Sequence, residues 1–199
     1  MLTNERSAPL STQPSKLLPS LFEHIDEDER LTILDVGPAQ QATVDFFSRY
    51  RCQLHVADLF SELPINAPIA DTDPTLAQQF EQTLSFPEDT QFDICLFWDL
   101  FNFMSSEAIA AFLNALRPYL HTQSVAHGFA VHNLKTPQSN LLYSIQSPDL
   151  LGMKTRLSAL PGYAPHNQSQ LKTLLDCFSF ERSVLLADSR LELLLRARG

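Results

Sequence analysis

Two stretches of this chain are apolar on consecutive positions. Leu31-Thr32-Ile33-Leu34-Asp35-Val36 stops at Gly37, and Phe92-Asp93-Ile94-Cys95-Leu96-Phe97 runs into Trp98. Short continuous apolar runs bounded by turn residues predict strands buried on both faces, as in a parallel sheet. Residues 53–57, ending at Asp58, and residues 124–131 predict two more strands. Between these runs the spacing becomes helical. Val44, Phe46, Phe47 and Tyr50 predict a helix over 42–50, and residues 75–84 predict another. The segment 105–116 carries a full start signal: Ser105 as N-cap, Glu107 in the first turn, and Met104 with Ile109 as a staple.

The remaining pattern is less regular. Residues 1–16 are rich in Ser, Thr, Pro and Asn and predict a flexible lead-in. A short helix is expected over 17–24, followed by an acidic turn. No clear strand falls between 84 and 91, although 82–86 is a weak candidate. Residues 133–168 contain Pro137, Pro148, Pro161 and Pro165 and predict a long irregular segment, either a lid over a substrate or an exposed connector. A helix is expected over 169–178. Residues 180–187 and 190–196 then predict a hairpin with a two-residue loop at Asp188-Ser189. Strands alternating with helices imply a doubly wound, mostly parallel α/β sheet, here closed by a C-terminal antiparallel hairpin. Residues 17–199 are expected to form one domain.

Composition narrows the partners. The chain has 199 residues and is 44% hydrophobic, enough for one sizeable core. The formal net charge of -9 argues against a broad nucleic-acid grip, which needs clustered Lys and Arg. Cys52, Cys95 and Cys177 share no close spacing, so buried reduced thiols are expected and no metal site. The first residues show no apolar core of a leader, and no long apolar run follows. A cytoplasmic protein without a membrane span is the expectation.

The chemistry begins where the first strand turns. Leu34-Asp35-Val36-Gly37-Pro38-Ala39-Gln40-Gln41 passes from strand through glycine to helix. Open α/β sheets build ligand crevices in this way, because small residues let the backbone approach and the helix start offers free N–H groups. Asp58 ends the next strand. Trp98-Asp99-Leu100-Phe101-Asn102 follows the central strand, and Leu116-Arg117-Pro118-Tyr119-Leu120 precedes the next. In this order, with the closing hairpin, these motifs resemble the class I S-adenosylmethionine-dependent methyltransferases from about Leu31 to Arg198. That family carries acid-x-Gly-x-Gly-x-Gly after its first strand. Here Asp35 and Gly37 are kept, while Ala39 and Gln41 stand where the second and third glycines are expected. Gln41 is the larger intrusion, and Pro38 stiffens the turn. The whole chain has five glycines.

The resemblance implies S-adenosylmethionine as cofactor, with Asp35, Gly37, Ala39, Asp58, Trp98 and Asp99 around it. Asp58 would take the ribose hydroxyls, since a carboxylate accepts two hydrogen bonds from a diol. Residues just past the fourth strand would line both the methionine end and the substrate. Asn102, His132, Arg156 and Tyr163 are the substrate candidates, and Asp99 and His132 the candidates for a base. Each has a plainer reading: Asp35 and Asp58 as caps, Asp99 and Asn102 as loop ties, Arg156, Tyr163 and His166 as parts of a connector. His127, five residues before His132, would face the other side of the strand and reads as structural. The function implied is methyl transfer to a small molecule or a protein. One alternative is a non-catalytic binding or scaffolding module, which the missing glycines favour. Another is a nicotinamide dinucleotide site at Gly37-x-Ala39-x-x-Ala42, but the terminal hairpin takes the space of its second half.

Overall fold

A computed structural model describes residues 9–23, 29–65 and 73–198. The predicted strands form a six-stranded sheet. In chain order its members are β2 (Leu31–Asp35), β3 (Cys52–Val56), β4 (Phe92–Trp98), β5 (Leu120–Val131), β8 (Phe178–Leu185) and β9 (Arg190–Ala197). Their spatial order is β3-β2-β4-β5-β9-β8. The first four are parallel, and β9 runs antiparallel to both β5 and β8. The central strands are apolar because both faces are covered: Ile33, Leu34, Ile94, Cys95, Leu96 and Phe97 are all buried. Among the described residues no strand pairs outside β3. Gln82 and Thr83, candidates for such a strand, belong instead to helix α2 (Leu76–Thr83), which Thr75 and Gln78 start with reciprocal capping bonds.

Helix α1 (Gln41–Phe47) buries Thr43, Phe46 and Phe47. Helix α3 (Ser106–Leu116) starts as predicted, with the Ser105 hydroxyl accepting from the Ala108 N–H. Helix α4 (Gln168–Leu174) starts at Asn167, whose side chain accepts from the Gln170 N–H. The β8–β9 loop is longer than the two residues expected. Leu186 still bonds Arg190, so residues 187–189 form the turn, with Ser189 in the left-handed region at φ 68°. A three-residue hairpin loop needs such a residue at its last position.

The main departure lies in the segment expected to be irregular. Residues 133–168 contain a hairpin, β6 (Leu141–Ser147) and β7 (Leu150–Thr155). Inside the segment read as a flexible lead-in, Ser11–Pro14 forms β1, which pairs antiparallel with β7. The result is a separate three-stranded sheet, β1-β7-β6. Pro14 sits in an edge strand, where its missing N–H costs no ladder bond. The chain then turns through a single 3-10 turn, Leu18–Leu21, where a helix to residue 24 was expected; His24 lies outside the described residues. Among the described residues no helix is long and apolar enough to cross a membrane.

Candidate functional site

Strands β2 and β4 end side by side, and their last residues bond each other. Asp35 Oδ1 accepts from the Trp98 indole N–H at 2.7 Å and from the Gly37 backbone N–H at 2.8 Å. Trp98 reaches it through an unusual backbone, φ 50°, which a bulky residue adopts only where its surroundings enforce it. This turns the indole back over the loop. A Cβ on Gly37 would stand 2.9 Å from two indole atoms, so glycine is needed here for close approach. Asp35 is 2% exposed. Burial pushes its carboxyl up to about 7; the bonds from Trp98 and Gly37 offset part of this, and the nearby Asp58 charge adds to it.

The crowding expected from Gln41 does not occur. The Gln41 amide is exposed and donates to Asp45 on its own helix, and Ala39 is exposed. Trp98 fills the hollow instead. Tyr143 of β6 lies flat on its ring, with centroids 5.6 Å apart and planes 3° from parallel, and Phe129 of β5 stacks beneath Tyr143 at 5.0 Å. Arg190 covers Phe129 and donates to the Tyr143 hydroxyl at 3.1 Å. The hairpin is fastened to α1 as well, because the Ile145 N–H donates to Thr43 Oγ1 at 3.1 Å. Asp58, at the end of β3, is half-buried and holds the Ser61 N–H and hydroxyl.

Beside this plug, past the ends of β4 and β5, lies a cavity of about 190 Å³. Asp99, Asn102, Ser139, Tyr163, Asp188 and Arg190 are among its walls. Asp99 and Asn102 are 2% and 5% exposed, and each has a side-chain oxygen with no hydrogen-bond partner. Burial pushes Asp99 up to about 6 against the pull of Arg156, Arg190 and a bond from Ser139. Arg156 stands over the Phe60 ring and feels both Asp99 and Asp58. A larger hollow, about 700 Å³, lies at the opposite ends of the strands beside Leu31, Asp93 and His121. Open α/β sheets bind ligands at the carboxyl ends, so the smaller one is the candidate.

The structure thus brings together Asp35, Gly37 and Trp98 in one cluster, and Asp99, Asn102 and Tyr163 around the cavity. It leaves Ala39 and His132 exposed and outside the cavity walls. His166 is buried and bonds the Met104 carbonyl at 2.8 Å, a tie within the fold. His127 is fully buried, with Nε2 2.8 Å from Glu192 of β9. Tyr143, Ser139 and Arg190 escaped the sequence reading, since only the hairpin of 141–155 carries Tyr143 to Trp98.

The mixed α/β fold, with its mostly parallel central sheet and flanking helices, matches the fold of solved S-adenosylmethionine-dependent methyltransferases. A solved structure of 1,6-didemethyltoxoflavin-N1-methyltransferase from Burkholderia thailandensis, with bound 1,6-didemethyltoxoflavin and S-adenosylhomocysteine, superposes with a TM-score of 0.52. It is 13% identical, over 92% of this chain and 78% of that one. The mitomycin 7-O-methyltransferase superposes with a TM-score of 0.53 at 13% identity, over 91% of this chain; the match spans 52% of that longer chain. No protein-family model and no curated protein matches the sequence.

Proposed function

We propose that the chain is an S-adenosylmethionine-dependent methyltransferase acting on a small molecule. One observation supports this most strongly. Asp35 and Asp58 end neighbouring strands around Gly37, close enough for the Asp58 charge to help raise Asp35. Asp58 is half-buried, as a ribose ligand should be. Asp35 is poised for the cofactor ammonium, which would restore its charge. The cofactor supplies a methyl group that is already electrophilic, so the chain's task is to align an acceptor and exclude water. Asp99, with an unpartnered oxygen and a carboxyl pushed up to about 6 by burial, would hold the acceptor and take its proton. The small volume of the cavity favours a small acceptor over a protein side chain.

Both Asp58 oxygens already hold Ser61, and the Trp98 indole stands against Gly37, where the methionine end of the cofactor would lie. Binding therefore requires that indole to turn away. The same indole favours a second reading, a methyltransferase fold kept shut as a non-catalytic module. Calorimetric titration with S-adenosylmethionine and S-adenosylhomocysteine separates the two. The parent should bind both, tighter at pH 8 than at pH 6 as Asp35 ionises, and Asp58→Ala should weaken binding at least tenfold. Absence of binding by both the parent and Trp98→Ala supports the shut module.

A further inference from the structure

The cavity past β4 and β5 has an unbalanced lining. Its orphaned atoms, Asp99 Oδ1 and Asn102 Oδ1, are acceptors, and both belong to residues more than nine-tenths buried. Buried polar atoms are normally paired, so two orphans on one small cavity call for a ligand that brings donors. The cations nearby are already engaged. Arg190 bonds Asp188, the Tyr143 hydroxyl and Gln13, while Arg156 bonds the Leu141 carbonyl and covers Phe60. Arg190 is ion-paired with Asp188, and among the described residues no cation lies within ion-pair distance of Asp99. Liquid water occupies about 30 Å³ per molecule, so about 190 Å³ holds roughly six water-sized groups.

We propose that this cavity binds a small primary amine, or the amine end of a longer molecule, through Asp99 and Asn102. The ammonium N–H groups donate to the two orphaned oxygens, with Ser139 beside them and the Tyr163 ring as a wall. That this amine is the methyl acceptor rests on the methyltransferase reading; that it binds does not.

The test uses the whole chain without cofactor. Ethanolamine, glycolate and ethylene glycol, of nearly equal size and of positive, negative and no charge, are compared by saturation-transfer NMR and calorimetry. Ethanolamine should bind saturably and at least tenfold tighter than either of the others. Asp99→Asn should weaken it at least tenfold, and Asn102→Ala at least threefold. Equal or tighter binding of glycolate, no binding of any probe, or an unchanged affinity in Asp99→Asn would overturn the proposal. If Asp99→Asn does not fold, Asn102→Leu decides: the cavity is then filled, and continued ethanolamine binding overturns it. Failure of S-adenosylmethionine to bind leaves the amine result standing, and the reverse holds equally.

Discussion

Two acids are buried in this sheet, and their environments drive them in opposite directions. Asp35 closes β2 and receives only neutral donors, an indole and an amide N–H, so burial wins and its carboxyl rises to about 7. Glu192 sits mid-strand in β9. Burial pushes it up too, but His127, Ser15 and the Lys16 N–H outweigh that and bring it down to about 2. The difference is the partner. Glu192 has a ring that can carry the opposite charge, and its task is finished inside the fold. Asp35 has no such group, and its charge waits for one to arrive.

The comparison is broken most severely at Glu192. His127→Ala leaves that carboxylate buried with only neutral donors, the Ser15 hydroxyl and backbone N–H groups, and should cost about 3–5 kcal/mol in urea unfolding at pH 7. The parent should also lose this contribution in acid, as pH falls from the unfolded value of about 4.5 towards about 2, because a depressed carboxylate stabilises only while ionised. Asp35 sharpens the contrast with the opposite sign. Its raised value means the folded chain holds a proton that the unfolded chain releases, so stability falls as pH rises from about 4 to about 7. Asp35→Asn keeps an oxygen for Trp98 and Gly37 and should raise stability at pH 8 by ~2 kcal/mol, with little gain at pH 4. If unfolding curves at the two pH values move together, Asp35 is not the uncompensated group. The smallest effect belongs to the covering sheet. Thr43→Val removes the acceptor of the Ile145 N–H and should cost ~1 kcal/mol, with faster amide exchange at Ile145 and little change in β4.

The parallel core was legible in the sequence because burial on both faces writes continuous apolar runs, as in Leu31–Asp35 and Phe92–Trp98. Helix starts were legible at Ser105 and Thr75, where one hydroxyl has one local task. The covering sheet was not. Leu141-Leu142-Tyr143-Ser144-Ile145 does not alternate cleanly, and β1 exists only through a partner at residues 150–153, far along the chain. At the site, the places of Asp35, Gly37, Asp99 and Asn102 just at or past the strand ends were legible from position. Their partners were not, since Tyr143 and Arg190 reach them by tertiary packing alone. Gln41 misled for a related reason: a side chain at a helix start can turn outward, and here it does.

The clasp between Ser15 and Glu192 spans 177 positions. Ser15 thus stays without this partner until β9 has folded back against it, and contacts of such long sequence separation form slowly. A protease that trims the chain before Ser15 would leave the clasp intact but remove the strand that steadies the cover, which makes limited digestion a way to unroof the crevice without unfolding the sheet.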